Sequence, residues 1–199
     1  ELRMAKPLFA GNWKIHGTAK TAAKLAAPLA AYIGEKPEMM VFPSFVSIPA
    51  VVAALSEHSA IAIGAQNLSH HSEGAYTGEI SGQMLADIGC SHVLVGHSER
   101  RTYSAENNEL VAEKFAAAQA SGLIPILCIG ETLQQRQESL QLQVIKAQIT
   151  AVIERVGLQN VCDAIIAYEP VWAVGTGETA TPEQAQQVHS FIRSELGEQ

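Results

Sequence analysis

Six short runs of nearly unbroken apolar residues, each followed by a longer stretch of mixed polarity, limit this chain more than any other feature. The runs cover residues 7–12, 39–43, 61–66, 92–96, 124–129 and 164–168. A strand with one wet face alternates apolar and polar residues, whereas a run without alternation suits a parallel strand covered on both faces. Between the runs, Leu140, Val144, Ile145, Ile149, Val152, Ile153 and Val156 recur at helical spacing before Gly157, a residue suited to ending a helix. Leu110, Val111, Lys114, Phe115 and Ala118 repeat the pattern before Gly122. A last helix is expected with Thr181 as N-cap, Pro182 in the first helical position and Gln184 closing a capping box. It runs towards Leu196 and stops at Gly197.

The order βαβαβα places the chain in the α/β class with a parallel sheet. No linker interrupts it, so residues 1–199 read as a single domain. Six units in 199 residues give about 33 residues each, close to the ~30 of a βαβ module. That arithmetic favours a six-stranded doubly wound sheet over a (β/α)₈ barrel, which needs eight strands and typically ~250 residues.

Composition narrows the partners. With 47% apolar and 17% charged residues, the chain is not of disordered type. Polar residues and glycines interrupt every run before the ~18 residues of a membrane span. The N-terminus lacks the apolar segment of a secretory signal, and Met4-Ala5-Lys6 reads as a natural start behind Glu1-Leu2-Arg3. Cys90, Cys128 and Cys162 are odd in number, widely spaced and without histidines at zinc spacing. They point to the reducing cytoplasm rather than to disulfides or a structural metal. A net charge of −7 argues against nucleic acid and leaves a small metabolite as the expected partner.

In either architecture ligands meet the C-terminal ends of the strands. Four ends carry polar groups: Gly11-Asn12-Trp13-Lys14, Gly96-His97-Ser98-Glu99-Arg100-Arg101, Cys128-Ile129-Gly130-Glu131, and Tyr168-Glu169-Pro170-Val171-Trp172-Ala173-Val174-Gly175-Thr176-Gly177. Singly, each has an ordinary explanation. Lys14 suits a solvated loop, His97 a helix entry, and Glu169 a strand end before proline. Together, a cation, an imidazole and a carboxylate at three strand ends form a general acid–base set. Gly175-Thr176-Gly177-Glu178-Thr179-Ala180 matches a dinucleotide-binding glycine pattern, but that motif must follow its strand directly and open a helix. Here Pro170-Val171-Trp172-Ala173-Val174 intervenes and the helix start lies later, at Thr181. A glycine-bearing lid with N–H groups for an anion fits better.

These segments, in this order, resemble the signature segments of the triosephosphate isomerase family. Gly64-Ala65-Gln66-Asn67 and Gly74-Ala75-Tyr76-Thr77-Gly78-Glu79 are similar to its third strand and the following loop. The resemblance runs from Pro7 to about Leu196. It implies a TIM-barrel-type fold and an aldose–ketose isomerase acting on a phosphorylated triose through an enediolate, with no metal or organic cofactor. By the pattern known for this family, Glu169 matches the base and His97 the neutral imidazole that polarises the carbonyl. Lys14 matches the cation for the substrate's charge, and Asn12 the amide beside it. Ser98 and Glu99 match supporting positions. Pro170, Val171, Trp172, Ala173, Val174, Gly175, Thr176 and Gly177 match the lid, with Gly175 placing an N–H group on the phosphate.

Glu178 departs from the lysine common at the lid's far hinge, a change outside the chemistry. The resemblance spans six βα units of the family's eight, so an apparently incomplete barrel is expected, open at strands one and six. Weaker phosphate binding is expected with it, because the glycine-rich loops after strands seven and eight would supply further donors. The loop of residues 66–79, 14 positions long, exceeds the ~2–6 usual for a βα connection. In the family it docks into a neighbouring subunit, so Thr77 is expected at a homodimer or other homo-oligomer interface. Two rival readings remain: a different sugar-phosphate isomerase, and a non-catalytic or strongly impaired oligomeric remnant of the family.

Overall fold

The computed structural model describes residues 7–33, 38–55, 59–174 and 176–197. Two expectations fall outside them: the start signals in residues 1–6, and Gly175 of the lid. The chain divides into two compact units, Glu1–Leu94 with Ala117–Ile124, and Val95–Ala116 with Pro125–Gln199.

In the first unit four parallel strands follow chain order: β1 (Leu8–Asn12), β2 (Glu38–Phe42), β3 (Ala62–Ala65) and β4 (His92–Val95), the last residue of which falls in the second unit. Their register runs from Leu8↔Glu38 to Asn12↔Phe42, then through Met40↔Ala62 and Gly64↔His92. Helices α1 (Ala19–Ala26), α2 (Ile48–Ala54) and α3 (Gly82–Asp87) join them. The buried core of this unit includes Ile48 and Val51 of α2, Leu85 of α3, and the sheet residues Val41, Phe42, Ile63 and Val93. Gly64 makes room for the Phe42 ring, since a Cβ there would lie 2.1 Å from it.

The second unit holds β5 (Ile124–Ile129, with Ile124 in the first unit) and β6 (Ile165–Tyr168), parallel from Ile126↔Ile165 to Ile129↔Tyr168. Around them lie α4 (Ser98–Tyr103), α5 (Asn108–Ala120, ending in the first unit), α6 (Leu133–Gln137), α7 (Gln141–Val156), α8 (Leu158–Cys162) and α9 (Pro182–Glu195). As the periodicity predicts, α7 buries Ile145, Ile149 and Val152, and ends at Gly157 with φ +87°. The α9 capping box is made as expected: Gln184 N–H donates to Thr181 Oγ1 at 3.3 Å, and Thr181 N–H to Gln184 Oε1 at 2.9 Å.

Coverage on both faces holds for β3, β4 and β5, but not throughout. On β1, Phe9 is 63% exposed, and no residue of β6 is fully buried. Each of these two strands pairs on one side only among the described residues, which leaves fewer neighbours to cover it.

Candidate active site

Asn12 and Lys14 belong to the first unit, where β1 runs out. Lys14 adopts φ +53°, a left-handed conformation costing a non-glycine residue roughly 1–2 kcal/mol. Two side-chain amides hold it there. Asn12 Oδ1 accepts from the Lys14 N–H at 2.9 Å, and Gln66 Nε2 donates to the Lys14 carbonyl at 2.9 Å and to the Phe42 carbonyl at 2.8 Å. Strain fixed by two independent anchors is typical of a functional position.

In the second unit the structure brings His97, Ser98 and Glu169 together. His97 caps α4: its Nδ1 accepts the Glu99 N–H at 3.2 Å. An accepting Nδ1 keeps its lone pair, so the ring proton sits on Nε2, which lies 3.0 Å from Glu169 Oε1. The other carboxylate oxygen, Oε2, accepts the Ser98 N–H at 3.0 Å. His97 is 9% exposed and Ser98 is buried, so these bonds operate in a largely desolvated setting, where they count for more than in water. The Glu99 carboxylate stands 3.7 Å from His97 Nδ1 and half-faces solvent.

Arg101 reinforces this corner from within. Its guanidinium donates to the Gly96 carbonyl at 2.8 Å, Asn108 Oδ1 at 2.8 Å and the Cys128 carbonyl at 3.3 Å. Burial pulls its pKa below the usual arginine value, with Cys128, Glu106 and Glu169 opposing that shift. Burial likewise pushes the Cys128 thiol well up, so that group is an uncharged wall of the site.

The lid is rooted on Glu131, which is fully buried. Its Oε1 accepts from Arg136 at 2.8 Å, the Tyr168 hydroxyl at 3.0 Å and Trp172 Nε1 at 2.9 Å. Burial, then Glu131, raises the Tyr168 pKa. Arg136 also stands 5.2 Å from the Trp172 ring centroid, a cation–π distance. Pro170 precedes a 3₁₀ turn over Val171, Trp172 and Ala173, followed by Val174. Thr176 Oγ1 donates back to the Trp172 carbonyl at 2.7 Å, and Gly177 turns with φ +82°. The segment lies between β6 and α9 and opens neither, unlike a dinucleotide-binding turn.

Thr77 is exposed in the loop between β3 and α3. Ser69 N–H donates to the Ile80 carbonyl at 2.8 Å across the neck of that loop, buried Leu68 anchors it, and His71 stacks on Tyr76 at 3.5 Å. Sequence reasoning assigned no role to Gln66, Glu131, Arg136 or Arg101. The polar Gln66 and Glu131 at strand ends were visible; their partners were not.

A family model described as triosephosphate isomerase matches residues 7–199. Among curated relatives of that name, the protein of Thiobacillus denitrificans is 50% identical over 197 residues, covering 98% of this chain and 78% of the relative. That of Nitrosococcus oceani is 51% identical over 195 residues, covering 97% and 78%. That of Shewanella loihica is 47% identical over 204 residues, covering 99% and 78%.

Proposed function

We propose, since the chain belongs to the triosephosphate isomerase family and has its (β/α) barrel-type fold, that it interconverts dihydroxyacetone phosphate and glyceraldehyde 3-phosphate. The contact of His97 Nε2 with Glu169 Oε1 at 3.0 Å carries the reading. It joins a group able to polarise a carbonyl to a carboxylate able to take a proton from the neighbouring carbon.

The reaction moves one proton between adjacent carbons and another between their oxygens. Glu169 removes the first from the carbon beside the substrate carbonyl, and the electron pair left behind forms an enediolate. His97 donates its Nε2–H towards the oxygen where negative charge develops, and Lys14 balances that charge together with the phosphate. Glu169 then returns a proton to the adjacent carbon while His97 gives its Nε2 proton to the former carbonyl oxygen and takes one from the neighbouring hydroxyl, turning ketose into aldose. In the geometry seen here both Glu169 oxygens are occupied, by His97 and by the Ser98 N–H. Substrate therefore replaces the carboxylate as the acceptor for His97. Ser98 and Glu99 support the histidine and base, Asn12 holds the Lys14 backbone, and the lid from Pro170 to Gly177 excludes water, with the Gly175 N–H meeting the phosphate.

The same reading extends to assembly and place. A homo-oligomer formed through the loop of Thr77 suits its exposure and its closed neck. A cytoplasmic location suits three free cysteines. Among the described residues no helix is long and apolar enough to cross a membrane. A coupled spectrophotometric assay of the purified chain tests the activity. Turnover that a phosphate-bearing enediolate analogue blocks stoichiometrically supports it, and absence of turnover refutes it.

A further inference from the structure

Gln148 takes no part in the chemistry above, yet it is a buried amide on the apolar face of α7. It sits among Ile145, Ile149 and Val152 and is 7% exposed. Burying a carboxamide costs free energy unless its polar atoms are paired. Both find the same residue: Oε1 accepts the Gly130 N–H at 2.9 Å, and Nε2 donates to the Gly130 carbonyl at 3.0 Å. The side chain thus offers Gly130 the donor and acceptor that a neighbouring strand would offer.

The backbone of Glu169 also passes close to Gly130. On either side of it, the Glu169 N–H donates to the Ile129 carbonyl at 2.8 Å and the Val171 N–H to the Glu131 carbonyl at 3.2 Å. A Cβ at residue 130 would fall 1.8 Å from the Glu169 carbonyl oxygen. Residues 130 and 169 therefore touch backbone to backbone, and a shift of one moves the other. We propose that Gln148 is a positioning residue: by clamping both polar groups of Gly130 it fixes the backbone that aims the Glu169 carboxylate. This rests on the assignment of Glu169 as the base. Only glutamine fills the role, because asparagine is a methylene shorter, ionised glutamate lacks the donor, and methionine lacks both groups.

Three variants test it at temperatures where each is folded. Gln148→Met should lower kcat by roughly 10- to 100-fold, the scale of a small misplacement of a reacting group, and leave KM nearly unchanged. Ile149→Val, a core change on the same helix, should lower Tm and leave kcat alone. In Gln148→Glu the protonated carboxyl can make both bonds and the ionised one cannot. Burial raises the pH at which such a group ionises, so this variant should be active at low pH and lose turnover on an alkaline limb that the parent lacks. A Gln148→Met enzyme within twofold of the parent kcat overturns the proposal. So does a Gln148→Glu profile of the parent's shape, which decides the matter if Gln148→Met does not fold. A parent without isomerase activity would refute the isomerase reading instead. Then the nitrogen resonance of His97 Nε2 decides: movement in Gln148→Glu as pH rises, absent from the parent, supports the clamp, and an unmoved resonance overturns it.

Discussion

Glu169 holds each carboxylate oxygen on a separate donor, the His97 ring at 3.0 Å and the Ser98 amide at 3.0 Å. Replacing it with glutamine keeps the size but removes the ability to take a proton. Glu169→Gln should lower kcat by about 10³-fold or more, towards the upper range of general-base effects, with the circular dichroism spectrum unchanged. A variant within tenfold of the parent would remove the assignment. A second residue-scale outcome concerns Cys90, whose thiol is pushed by burial from the ordinary 9.0 to about 11. Above pH 9 the unfolded chain gives up this proton first, so folding stability should fall as pH rises from 9 towards 11. Below pH 9 the thiol contributes no slope. Cys90→Ala should flatten the decline in urea midpoints over that window, and an unchanged slope would assign the effect to other groups. Lys14, His97 and Glu169 were legible in sequence because a polar group at the end of an apolar run stands out. The roles of Gln66 and Glu131 were not, because their partners lie far along the chain: Lys14 is 52 residues from Gln66, and Trp172 is 41 from Glu131.

At the scale of elements, the runs and long helices read from periodicity match the structure to within a residue or so at most ends. The short helices were illegible for a physical reason: α4, α6 and α8 have 6, 5 and 5 residues, too few turns for a 3.6-residue period to show. The exposed faces of β1 and β6 were equally hidden, because coverage depends on neighbours rather than on the strand's own composition. The junction of β5 and β6 gives an element-scale expectation. Gly130→Ala places a methyl against the Glu169 carbonyl, 1.8 Å from its ideal position, and backbone must yield. Stability should fall by about 1–3 kcal/mol, and kcat should fall with it. Unchanged kinetics would show that the junction has slack. At the other end of the lid, Thr181→Ala removes the cap of α9 and should cost ~1 kcal/mol by urea denaturation.

For the whole molecule, the sequence carried the class, the family and the acidic balance, while the grouping of residues into two compact units came from the structure. Self-association through the Thr77 loop is a whole-molecule expectation. Charge-reversing substitutions beside Thr77, such as Glu79→Lys, should lower the mass seen by light scattering, and an unshifted oligomer would place its interface elsewhere. The central claim is that this chain moves a proton between adjacent carbons through Glu169. Conversion of dihydroxyacetone phosphate in deuterated water, followed by proton NMR, tests it most directly. The account requires solvent deuterium on the carbon that receives the proton, with both labelling and turnover lost in Glu169→Gln. Product formed without any solvent deuterium, as a direct hydride shift would give, or labelling that survives in Glu169→Gln, would contradict it.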